Sequence, residues 1–104
     1  MILHCVFCSF NSDASQADRT AILSDLAGFS QTLDGVLAFD FGANHDFENK
    51  SPAVTDGFVI RFRGRQALAA YADHPTHKVL GARLCDLCEG GADGVMVVDL
   101  VCGD

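Results

Sequence analysis

Apolar side chains occupy both faces of ILHCVFCSF, residues 2 to 10: Ile2, Val6, Cys8 and Phe10 alternate with Leu3, Cys5 and Phe7. Alternation with no polar face predicts a strand that needs cover on both sides. From Ser15 the period changes. Ile22, Leu26, Phe29 and Leu33 form one stripe of a helix that Asp13 or Ser15 can cap, with Asp18 supporting the first turn from three residues beyond Ser15. Asp34-Gly35 stops that helix at about Leu33. GVLAFDFG alternates again, with Leu37, Phe39 and Phe41 on one side, Val36, Ala38 and Asp40 on the other, and Gly42 closing the strand. Residues 43 to 56 are polar and proline-broken, hence a loop, and GFVIRF is a third strand with Phe58, Ile60 and Phe62 opposite Val59 and Arg61. QALAAYAD predicts a short helix that Pro75 ends, because the residue before a proline resists the α conformation. A further helix starts at once with Pro75 in its first position and Leu80, Leu84 and Leu87 as its stripe. Gly90-Gly91 ends it, and VMVVDLV is a last strand, apolar on both faces.

The resulting order, βαββαβ, predicts an α+β ferredoxin-like domain spanning residues 1 to 104: a four-stranded antiparallel sheet with helices on one face. The rows Leu37/Phe39/Phe41 and Phe58/Ile60/Phe62 should lie beneath the helices. The other face keeps Val36, Ala38, Val59 and one row from each doubly apolar strand, interrupted by Asp40 and Arg61. So large an apolar patch calls for cover, and the simplest cover is a second copy, sheet against sheet, in a two-fold dimer. Asp40 and Arg61, on adjacent strands, are expected to pair across that sheet and to be partly buried in the dimer, because a lone buried charge is costly.

Composition supports a partner surface, since 49% of the 104 residues are hydrophobic, more than a small monomer needs. The net charge of −7 repels phosphate backbones and anionic lipid, so neither nucleic acid nor a membrane is an expected partner. RFRGR, with Arg61, Arg63 and Arg65, reads as a solvated strand end rather than an anion site. The first ten residues carry no basic leader or cleavage signal and meet Asn11 and Asp13 too soon to span a bilayer, which predicts a cytoplasmic protein. Two CxxC pairs, Cys5/Cys8 and Cys85/Cys88, suggest zinc at first sight. Residues three apart in a strand point to opposite faces, however, so Cys5 and Cys8 cannot easily grip one ion, and reduced, mostly buried thiols are the expectation. NHDFE, residues 44 to 48, reads as a solvated loop rather than a cation site.

Candidate chemistry concentrates in YADHPTH, residues 71 to 77. Tyr71 closes one helix and His77 sits in the first turn of the next, on the side of Leu80 and Leu84, so both point toward the space between helices and sheet. His4, the only polar member of its strand row, can enter the same space. Imidazole takes a proton at neutral pH and phenol donates one, a pair suited to proton abstraction beside a carbonyl, with no metal or cofactor needed for the step. No GxSxG, P-loop, dinucleotide fingerprint or HExxH is present. The bland alternative is a structural corner: Tyr71 as core filler, His74 as helix cap, His77 bonded to a free carbonyl, and His4 as a satisfied core histidine.

Taken together, His4, Gly42, the run FVIRF, Ala67-Leu68, Tyr71, His74-Pro75-x-His77 and the closing Val97-Val98-Asp99 resemble the stress-responsive A/B barrel (Dabb) family of the dimeric α/β barrel superfamily. The resemblance implies a homodimer whose sheets close into a barrel and a cavity in each subunit lined by His4, Val6, Phe58, Ile60, Tyr71, His74 and His77. In cyclase members of that family the residues matching Tyr71 and His77 perform general acid–base aldol chemistry on a poly-β-keto substrate, while many members have no assigned reaction. Cys8 and Asp56, near the expected cavity, depart from a plain cyclase pattern. Three readings therefore stand: a small-molecule-binding barrel acting as a cofactor-free lyase or cyclase, a non-catalytic stress-response dimer with a structural HPxH corner, and, more weakly, a thiol or metal protein.

Overall fold

The computed structural model describes residues 1–103. Four strands, β1 (Ile2–Cys8), β2 (Val36–Ala43), β3 (Asp56–Phe62) and β4 (Val95–Val101), form one antiparallel sheet in the order β2-β3-β1-β4. Three helices, α1 (Gln16–Ser30), α2 (Arg65–Asp73) and α3 (Pro75–Asp86), complete the ferredoxin-like arrangement, and a 3-10 turn over Gly91–Gly94 leads into β4. Among the described residues no helix is long and apolar enough to cross a membrane.

The caps explain where the helices begin and end. Ser15 Oγ accepts from the Asp18 amide at 3.0 Å while Asp18 Oδ2 accepts from the Ser15 amide at 3.1 Å, a reciprocal capping box that satisfies two otherwise orphaned donors. α1 ends three residues earlier than its apolar stripe suggests. Thr32 Oγ1 donates to the Phe29 carbonyl at 2.7 Å, and the chain then turns through Gly35, whose φ of +85° few other residues adopt. Gly35 also lies where α2 crosses the start of β2: a Cβ at this position would stand 2.5 Å from Ala67 Cβ. That close approach lets α2 settle onto the sheet and carry Tyr71 inward.

The core lies between sheet and helices. Ile2, Val6 and Cys8 of β1 and Phe58, Ile60 and Phe62 of β3 meet Ile22, Leu23 and Leu26 of α1, Tyr71 of α2, and Leu80 and Leu84 of α3. One row departs from the alternation. The β2–β3 register jumps between Val36 and Ala38, so that Val36 is paired with Phe62 and Ala38 with Arg61. Leu37 is the extra residue of this bulge and is 52% exposed, whereas Val36 packs against the core with Phe39. The expected assignments of Val36 and Leu37 are thus exchanged.

The other face of the sheet is uncovered in the single chain. Leu3, Cys5 and Phe7 lie beside Met96, Val98 and Leu100 on one flank and beside Val59 and Arg61 on the other. Met96, Val98 and Leu100 are exposed.

Asp40 and Arg61 share this face but do not pair within the chain. In the regular part of the β2–β3 ladder Arg61 is opposite Ala38 and Asp40 opposite Val59, leaving the two charges diagonal, and no ion pair among the described residues joins them. The expected pairing across one sheet is therefore corrected.

Candidate functional site

His74 organises the corner between α2 and α3. It is at once the C-cap of α2 and the N-cap of α3, in extended conformation, with Pro75 following at the first helical position. Its Nδ1 accepts from the Thr76 amide at 3.1 Å, and its ring packs edge-on against Phe29 at 4.8 Å. α2 ends at Asp73, so the Ala72 carbonyl is one of the last four without an intrahelical partner. His77, one turn into α3, supplies the missing donor: its Nδ1–H donates to Ala72 O at 3.1 Å. That bond selects the tautomer whose free nitrogen is Nε2.

Tyr71 lies at the centre. It is 1% exposed, and its ring centroid stands 4.4 Å from His77, 5.3 Å from Phe62, 5.7 Å from His4 and 6.0 Å from Phe29. Burial pushes its phenol up to about 12, opposed in small part by a hydrogen bond with the Ser30 side chain. Ser30, fully buried, gives its own proton to the Leu26 carbonyl at 2.7 Å. At neutral pH Tyr71 is accordingly a protonated hydroxyl, able to donate. For His77 burial is also the largest influence and lowers its basicity; the Ala72 carbonyl opposes this, and the charges of His4 and Lys78 lower it further. His77 is therefore a neutral imidazole at neutral pH, able to accept.

His4 enters from the sheet. The β1–β4 register sets it opposite Asp99, and its Nδ1–H donates to Asp99 Oδ1 at 2.6 Å, which again leaves Nε2 free. Two imidazoles, each tied at Nδ1, thus flank one buried phenol. Val6, Phe58 and Ile60 lie on the same side of the sheet as His4 and are buried in the core. Neither of the two clefts described in the single chain is bordered by His4, Tyr71, His74 or His77. Surface at the cluster belongs to His4, whose side chain is 12% exposed, and to half-buried His74 and His77.

An open cleft of about 720 Å³ lies instead on the uncovered side of the sheet, bordered by Phe7, Asp40, Val59, Met96 and the loop residues Lys50 and Val54. It holds no histidine or tyrosine, and the Tyr71 cluster lies across the sheet from it. The arginines of RFRGR do not converge: Arg61 is on the uncovered face, Arg63 meets Asp34 at 3.7 Å, and Arg65 begins α2. Asp46 of the NHDFE stretch serves its own loop, with Oδ1 accepting from the Lys50 amide, the Ser51 amide and Ser51 Oγ at 2.8, 3.0 and 3.1 Å. Cys5 faces away from Cys8 across the sheet, and Cys8 is hydrogen-bonded instead to Cys88, both deeply buried. Asp56 is buried too, held by Arg19 at 3.4 Å.

Ser30 and the role of Asp99 were not anticipated from the sequence. Ser30 carried a signal, since it stands four residues beyond Leu26 on an otherwise apolar stripe. Asp99 opposite His4 needed the strand register.

The family model named Stress responsive A/B Barrel Domain matches residues 2–102. The chain belongs to the stress-responsive A/B barrel family. The stress-response A/B barrel domain-containing protein HS1 of Arabidopsis thaliana is 24% identical to this family member over 98 residues, 94% of this chain and 86% of the other. A dimeric ferredoxin-like protein of unknown function from Jannaschia sp. CCS1 superposes on this A/B barrel chain with a TM-score of 0.90 at 37% identity, covering 97% of this chain and 98% of that one. The hydroxynitrile lyase of Passiflora edulis shares the fold at a TM-score of 0.83 and 14% identity, over 99% and 94% of the two chains.

Proposed function

We propose that this A/B barrel chain is a homodimeric small-molecule-binding protein that works as a cofactor-free lyase or cyclase on carbonyl compounds, with His77 as general base and Tyr71 as hydroxyl donor. The observation that carries this reading is the His77–Ala72 bond beside the buried phenol. It orients a neutral imidazole with Nε2 free, its ring centre 4.4 Å from that of a phenol that stays protonated.

In the proposed step, His77 Nε2 takes a proton from the carbon next to a carbonyl, and the C–H electron pair moves into that carbonyl to make an enolate. The Tyr71 hydroxyl, released from Ser30, donates a hydrogen bond to the enolate oxygen. The enolate carbon then attacks a second carbonyl of the same molecule, and His77 returns its proton to the new alkoxide. Acid–base groups placed in this way typically contribute about 10²- to 10⁴-fold. His4, His74, Val6, Phe58 and Ile60 form the proposed surround, and the ligand enters past His74 and His77, where the cluster has surface.

The homodimer closes over the uncovered sheet face, in the region of Asp40 and Arg61. Support comes from the exposed row Met96, Val98 and Leu100, a contiguous apolar strip unusual on a monomer, and from the dimeric Jannaschia relative.

The test is exchange of solvent deuterium into the carbon between the carbonyls of a β-keto ester, followed by NMR. Wild type should exceed the buffer rate, His77→Ala should fall to that rate, and Tyr71→Phe should lose about 10²-fold. Equal exchange by all three proteins would remove the catalytic assignment. A specific observation favours the second reading, a non-catalytic dimer: His74 and His77 both spend Nδ1 on the helix corner itself. In that case His77→Ala lowers stability and alters no ligand.

A further inference from the structure

The strand residues of the uncovered face include two charged side chains, Asp40 and Arg61, among Leu3, Cys5, Phe7, Val59 and their neighbours. Both are exposed, and neither has the other as a partner within the chain. Covering this face with a second sheet removes both from water, and a charge left unpaired in an interface is strongly unfavourable. The partners must then come from the second copy.

The register shows how. Along the β2–β3 ladder Asp40 is level with Val59, Phe39 with Ile60, and Ala38 with Arg61. Asp40 and Arg61 therefore stand one step either side of the Phe39–Ile60 pair. A two-fold axis lying between the sheets, across the strands, and passing at the level of that pair lays β2 over β2 and β3 over β3 with opposite ends together. Each Asp40 then comes to the level of the other copy's Arg61, and the contact is self-complementary.

We propose that the A/B barrel dimer is set in register by two reciprocal ion pairs, Asp40 of each copy with Arg61 of the other. This rests on the homodimer proposed above and adds to it the orientation of the two sheets. Charged pairs across an interface act mainly by excluding wrong registers and wrong partners, the role required on a face that is otherwise uniformly apolar.

Two charge reversals test it. Asp40→Arg gives a chain with only positive charge at the two positions, and Arg61→Asp a chain with only negative charge. Each alone should dimerise at least about tenfold more weakly than wild type, measured by sedimentation. Mixed, they should form heterodimers in clear excess over the statistical half, read by native mass spectrometry, because only the mixed interface pairs every charge between copies. A statistical mixture from a wild type that is itself dimeric would overturn the ion pairs and leave the dimer standing. A monomeric wild type would overturn both. Asp40→Asn and Arg61→Gln give a gentler check: their losses of dimer affinity should be coupled, and simple additivity would count against the pairing.

Discussion

His4 and Asp99 face each other across the β1–β4 ladder, with Nδ1 and Oδ1 2.6 Å apart. The pair joins the edge strand to the Tyr71 cluster and holds one nitrogen of His4, leaving the other free. Asp99 is 43% exposed, so solvent weakens the bond. Asp99→Ala should destabilise the fold by about 1 kcal/mol in urea unfolding, and Asp99→Asn, which keeps an acceptor, by less. Indistinguishable midpoints would mean that the short contact contributes nothing to the folded state.

The chain has a single tyrosine, so its ionisation can be followed directly in the phenolate absorption band. Tyr71 should titrate near pH 12 in the folded protein, against about 10 for a free phenol. Since the folded value is raised, its contribution to stability is complete below pH 10 and is lost as pH rises through 12. Burial raises Cys8 to about 12 and Cys88 to about 11, so both act in the same direction. Tyr71→Phe should lessen the alkaline loss without abolishing it. A midpoint near 10 with circular dichroism unchanged would show an open phenol.

His77 has the opposite sign. Its folded value lies below that of a free imidazole, chiefly through burial, so the unfolded chain binds its proton first as pH falls. The stability it protects is complete above about pH 6.5 and declines as pH drops through the folded value. Urea midpoints between about pH 5 and 7.5 should therefore slope upward with pH, and the slope should be shallower in His77→Gln. Parallel slopes would assign the acid sensitivity to other groups.

Gly35→Ala probes how α2 is seated. The new methyl meets Ala67 Cβ at 2.5 Å, and φ is +85° at this position. We expect a loss of about 1–3 kcal/mol in thermal unfolding, together with a lowered Tyr71 titration midpoint as α2 lifts from the sheet. A neutral result would show that α2 yields without disturbing the phenol.

Much of this was legible in the chain because period reports burial. Ile22 and Leu26, Leu80 and Leu84, and Phe58, Ile60 and Phe62 all fall where their spacing puts them. Ser15 and Asp18 form the capping box suggested by their separation, and Pro75 divides the two helices. What stayed hidden depends on pairing between distant segments. Alternation through VLAFDF reads equally well in either phase, and only the β2–β3 register reveals the bulge that exposes Leu37 and the diagonal placement of Asp40 and Arg61. Asp99 becomes a partner of His4 only once β4 lies beside β1. Composition marked residues 43 to 56 as polar but could not show Asp46 gathering three donors.

Ligand-dependent thermal unfolding of wild type and of the Tyr71→Phe/His77→Ala double variant, against a panel of phenolic and β-keto compounds, tests the site most directly. A compound at 100 times its dissociation constant stabilises the folded state by about 2.7 kcal/mol, which moves the midpoint by several degrees in a domain of this size. A shift in wild type that the double variant loses is the expected result. An equal shift in both proteins would contradict it, by placing the ligand away from Tyr71 and His77.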